Sequence, residues 1–227
     1  MTAGRIAALA FGVCVASGAA PLPAPPKTMA PLQQYLMPRD AEIALARSAA
    51  PPSISADATV LVLGAHGYET AMKGSNGFTC LVERGWEAPF SDPGFWNPRI
   101  RGALCFNAEA TRTVWPAHNE RTDWALAGLG ADRMRARART SKLANMTPAP
   151  GAMCYMMSKQ QYLSDDGAHH WHPHLMFFVP KGLASWGADL AGSPVISSAG
   201  NPEPVVTYMV PVTKWSDGTS AMEMAKP

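Results

Sequence analysis

Apolar residues in this chain fall into short runs punctuated by glycine and proline, not into one long stripe. Thr59-Val60-Leu61-Val62-Leu63 is continuously apolar and rich in β-branched residues, the pattern of a strand in the middle of a sheet. Gly64 to Gly67 predicts a turn, Tyr68 to Lys73 a returning strand, and Gly74-Ser75-Asn76-Gly77 a second turn into a strand over Phe78 to Arg84. Connections this tight predict an antiparallel meander. Further strands are expected over Ile100 to Phe106, Ala152 to Ser158, His174 to Val179, Pro194 to Ser198 and Val205 to Thr213. Pro211 cannot donate to a ladder and argues for a sheet edge or a bulge in the last of these.

Helical patterning is confined to two regions. Asp40 to Ala49 reads as a short helix with Asp40 as its N-cap, halted by Pro51-Pro52. Asn107 is placed to cap a helix over Ala108 to Trp115 that Pro116 ends, and Asn119 to Ala127 resumes until Gly128 and Gly130. Ala131 to Leu143 predicts a third helix. Its Arg133/Arg137 and Arg135/Arg139 pairs lie on different sides of the axis, as in a solvated helix and unlike a single basic face. The expected fold class is therefore α+β: a mainly antiparallel sheet with a helical insertion around Ala108 to Leu143.

The N-terminus adds a targeting feature. Arg5, the unbroken apolar stretch Ile6 to Ala16 and the small residues Ser17-Gly18-Ala19-Ala20 have the anatomy of a secretory signal peptide. The apolar core is shorter than the ~20 residues a stable membrane anchor needs. Phe11-Gly12-Val13 is a poor lipobox for Cys14, so export is expected and lipidation is not. The organisation read from the 227 residues is a signal peptide over 1–20, a proline-rich linker over 21–38, one α+β domain over 39–215 and a loose tail over 216–227. The expected location is periplasmic or secreted. A formal net charge of +2 gives no electrostatic reason to expect nucleic acid as a partner.

Cleavage would leave Cys80, Cys105 and Cys154, each following a glycine within three or four residues and each resembling a strand start. In an oxidising compartment three cysteines permit one disulfide and one remaining thiol, and sequence does not choose the pair.

The densest chemistry is Asp165-Asp166-Gly167-Ala168-His169-His170-Trp171-His172-Pro173-His174, which holds four of the six histidines. In extended backbone His170, His172 and His174 project to one side, and alternate imidazoles can reach one metal ion. Pro173 holds His172 extended, as suits an open sheet edge. Imidazole ligands suit a transition metal such as Zn or Cu. His118, His66 with Glu69, or Asp165 and Asp166 would complete the shell, and His118 is the expected fourth ligand. The alternative is a polar loop whose imidazoles bond to the backbone, or a cluster that responds to pH. The segment resembles the His-x-His strand of cupin-like metal sites but lacks that pattern's glycine and glutamate spacing, so no family follows from it.

A second feature is the aromatic loop Gly85 to Arg99, with Trp86, Phe90, Phe95 and Trp96 among three prolines. It either packs over the core or lines a groove. As a groove it would use Trp86, Phe95, Trp96 and Trp171 as a platform for a small ligand. Neither a His-Glu-x-x-His helix nor a Gly-x-Ser-x-Gly elbow is present. The functional expectation is an exported protein of unassigned function, with a transition-metal site at the histidine segment as the first specific candidate. The alternatives are a small-ligand-binding module built on the aromatic loop and a metal-dependent hydrolase with Glu69 or Asp166 as base.

Overall fold

The computed structural model describes residues 26–165, 171–183, 185–198 and 202–221. The signal-peptide expectation over 1–20 lies outside them, as do His169, His170 and Asp166. The fold is α+β, built on one mixed, mostly antiparallel sheet. Its strands are β1 Thr59–Gly64, β2 Gly67–Met72, β3 Thr79–Glu83, β4 Gly102–Phe106, β5 Met153–Met156, β6 His174–Pro180, β7 Ile196–Ser198 and β8 Val205–Pro211. They lie in the order β2-β1-β3-β4-β5-β6-β8-β7.

The expected meander is half correct. β1 and β2 form an antiparallel hairpin, but β3 pairs with β1 in parallel, on the side away from β2. The reason lies in the Gly74–Gly77 segment, which does not turn tightly. It carries the chain back past the start of β1, where the Ser75 amide donates to Asp57 O at 2.9 Å and the Thr59 amide to Phe78 O at 2.8 Å. Gly74 passes so close that a Cβ there would stand 2.2 Å from the Thr59 nitrogen, a space only glycine can occupy.

Helix α1 spans Arg39–Arg47, with Pro38 and not Asp40 at its N-cap; Asp40 sits in the first turn, where its charge suits the helix dipole. Pro51, expected to stop it, caps a one-turn helix, α2 Pro52–Ser55. The helical insertion between β4 and β5 is present as α3 Ala108–Thr113, α4 Trp115–Leu126 and α5 Ala131–Ala138. Asn107 caps α3 through its side chain, which accepts from the Ala110 amide. Pro116 opens α4 instead of ending α3, because the first turn of a helix does not need its missing N–H. Helix α5 ends five residues before Leu143.

Alternation along the strands sorts the core into two layers. Val60, Cys80, Val82, Ala103 and Cys105 face α1, with Leu45 and Ala46. Leu81, Leu104, Phe106, Cys154 and Phe178 face the helical insertion and the aromatic loop. Cys80 and Cys105 are directly opposite in the β3/β4 register and form a disulfide, while Cys154 points to the other face as a buried thiol. Cys105 is therefore near the end of its strand, not its start.

Described residues of the expected linker and of the expected tail are packed. Tyr35, in the expected linker, is fully buried; its hydroxyl donates to Trp96 O at 2.7 Å and accepts from the Ala30 amide. At the other end, Ser216 donates to Met157 O and Ala221 to Thr213 O, and Ala221 is buried. Among the described residues no helix is long and apolar enough to cross a membrane.

Candidate functional site

The three alternate histidines do not share one environment. His172 is exposed, whereas His174 is buried at 2% exposure, and His170 lies outside the described residues. The His174 Nδ1 stands 2.7 Å from the His172 carbonyl oxygen, and Trp171 packs edge-on against its ring at 5.0 Å. Burial pushes the His174 imidazole below its ordinary pKa, opposed by the contact to His172. His174 begins β6 opposite Met156 and Pro211, so it is drawn into the sheet while His172 stays in water. His118 is elsewhere, on α4, where its ring packs edge-on against Phe106 and Phe178. Among the described residues no three His, Cys, Asp or Glu side chains come together to hold a metal ion.

The aromatic platform is likewise divided. Trp86, Phe95 and Trp96 are each at most 3% exposed, and they pack on Tyr35, Phe90 and one another. Trp171 is 38% exposed and stands apart on His174. Trp96 borders a cleft of about 500 Å³, shared with Met29, Leu126 and Arg133. The aromatic loop is therefore a packed cover over the core, because its rings find more contact with each other than with solvent.

What the loop does position is charge. Gly85–Glu87 is a single 3-10 turn that crosses beneath α4. Arg121 of α4 is buried and donates to the carbonyl oxygens of Trp86, Glu87 and Ala88. Its remaining amino group pairs with Glu203, in the β7–β8 connection, and its guanidinium lies 4.3 Å from the centre of the Phe90 ring. Trp86 Nε1 donates to Thr122 Oγ1 at 3.0 Å, and Thr122 in turn approaches Glu87. These contacts fix Glu87 so that its Oε2 stands 3.4 Å from His118 Nδ1.

His118, Glu87, Arg121 and Glu203 therefore line one small cleft, of about 40 Å³, with Ser198 and Thr207 from β7 and β8 and Met146, Phe178 and Val205 as its apolar wall. Three buried polar atoms in it have no hydrogen-bond partner: Glu87 Oε2, Glu203 Oε2 and Arg121 Nε. Leaving such atoms unpaired is costly in a protein interior, and a native structure needs a reason for each. Nearby, Glu83 extends from the same sheet face over Gly102, and burial pushes its carboxyl up to about 8, with Glu87 adding to the shift and Arg121 opposing it.

His118 was legible as a candidate from sequence, through its Pro-Ala-His-Asn-Glu corner, but as a metal ligand. Glu87, Arg121, Glu203 and Glu83 were not. A weak signal was present at Arg121, a cation in a helix whose other face had to be buried under the aromatic loop. No family model, no curated protein and no solved structure matches this chain.

Proposed function

We propose that this chain is an exported protein that binds a small polar ligand in the cleft between α4, the Gly85–Glu87 turn and strands β6 to β8. His118 is the group that exchanges a proton with the ligand, and Glu87 orients it. The observation that carries this reading is the gathering of unpaired buried atoms of Glu87, Glu203 and Arg121 around one cleft that His118 also lines. Clefts with convergent polar groups on an apolar wall are the usual form of a small-ligand site. A carboxylate beside one ring nitrogen of a histidine selects the tautomer that leaves the other nitrogen to act.

Export is supported by two features. The Cys80–Cys105 disulfide belongs to oxidising compartments, and the apolar segment Ile6 to Ala16 has the form of a signal peptide.

A thermal-shift screen of small amines, carboxylic acids and alcohols tests the binding site. At least one compound should stabilise the protein and lose that effect in His118→Gln. If every stabilising compound acts equally on the wild type and His118→Gln, the cleft is not the site.

A further inference from the structure

We infer that the ligand of this cleft is a small alkylammonium ion, with its charged head on Glu87 and Glu203 and its carbon against Phe178, Val205 and Met146; this rests on reading the cleft as the working site. The charge balance points to a cation. Among the described residues that line the cleft Arg121 is the one guanidinium, and its amino groups are already taken up by Glu203 and three backbone carbonyls. Among the described residues the carboxylate of Glu87 has no such cation: His118 stands 3.4 Å from one oxygen and the Thr122 hydroxyl 3.4 Å from the other. Two of the three unpaired atoms, the oxygens of Glu87 and Glu203, are acceptors, so what completes them must donate; the third, Arg121 Nε, is a donor that an ammonium ion leaves as it is. Both side chains are at least nine-tenths buried, so bulk water does not satisfy them.

The other ligand classes fit less well. An anion would meet two carboxylates. A metal ion takes several ligands at short, fixed distances, and among the described residues no three such side chains converge. An ammonium group needs only acceptor oxygens some ~2.7–2.9 Å away, and the cleft is lined by two carboxylates and by Ser198 and Thr207, which carry hydroxyls. The rest of the lining includes Met146, Phe178 and Val205, which suit a methyl or methylene and not a second charge. The volume of about 40 Å³ restricts the ligand to a very small one.

Thermal unfolding of the intact protein at constant ionic strength tests this, with methylammonium, tetramethylammonium, sodium and acetate salts as probes. Methylammonium should raise the melting temperature by a few degrees in a saturable manner and shift the His118 ring signals in NMR spectra. Tetramethylammonium has no N–H to donate and should do neither. Glu87→Gln should abolish both effects while its circular dichroism matches wild type. Glu203→Gln strands Arg121 and is therefore read by the NMR shift only if it folds, with Glu87→Gln deciding the matter on its own. Equal stabilisation by sodium or tetramethylammonium, or a methylammonium effect that survives in Glu87→Gln, overturns the inference. Acetate that shifts the His118 signals overturns the cation while leaving the cleft as the site. If no probe shifts those signals and the wider screen finds no His118-dependent compound, both readings fall.

Discussion

Arg84 Nη2 donates to Glu42 Oε1 at 2.8 Å, and both side chains are shut off from water. The pair joins α1 to the end of β3 and is tied further into the fold. Arg84 Nε donates to the Tyr35 carbonyl at 2.8 Å, and Glu42 Oε1 accepts the Leu63 amide at 3.1 Å. Removing one partner leaves a buried charge uncompensated, which costs about 3–5 kcal/mol. Glu42→Ala and Arg84→Ala should each lose that much in urea unfolding, and the double variant should lose clearly less than the sum. Additive losses would show that the two charges do not depend on each other.

The disulfide closes a loop between positions 25 residues apart. By chain entropy, a loop of that length contributes roughly 3–4 kcal/mol. Cys80→Ser/Cys105→Ser should lower unfolding free energy by about that amount, measured without reductant. Thiol titration of the chain from residue 21 onward should find no reactive thiol when folded and one in denaturant, because Cys154 is buried. Three thiols in denaturant would mean that the Cys80–Cys105 bridge does not form.

Glu83 makes stability fall as pH rises. Its carboxyl keeps a proton up to about 8 when folded, against an ordinary value of 4.5, so the folded state binds the proton more tightly than the unfolded chain. The stabilisation is complete below the ordinary value and is lost as pH rises through about 8. His174 acts in the opposite sense: its lowered pKa gives a contribution present above about 6.5 and lost as pH falls below it. Glu83→Gln should remove the fall in stability between about pH 4.5 and 8 and leave the curve outside that window as in wild type. An unchanged slope across that window would show that Glu83 ionises normally.

Gly85 lets the aromatic loop close on itself. A Cβ at this position would stand 2.5 Å from Gly94 O and 2.9 Å from Phe95 O. Those atoms are backbone and have little room to retreat, so Gly85→Ala should cost about 1–3 kcal/mol by overpacking. Because the same turn places Glu87, the variant should also weaken whatever binds at His118. Full stability in Gly85→Ala would mean that the loop is less tightly closed than its contacts imply.

What could be read from the chain was local. The continuous apolar run at Thr59 to Leu63 is β1, Asn107 caps α3, and the helical insertion lies where its 3.6-residue pattern placed it. These features depend on neighbours a few residues away, where propensity and capping operate. Pro116 misled because proline is compatible both with the end of one helix and with the first turn of the next.

The amino-acid sequence by itself determined the α+β class, the apolar and polar faces of the strands, and the presence of an uneven number of cysteines after the expected cleavage site. Only the tertiary structure decided that β3 runs parallel to β1, that Cys80 pairs with Cys105, that His172 and His174 part company, and that Glu87, His118, Arg121 and Glu203 meet. The physical reason is that each of these depends on contacts between residues far apart in the chain. Burial and pairing of such groups are set by how the layers stack, and no local pattern of side chains encodes that.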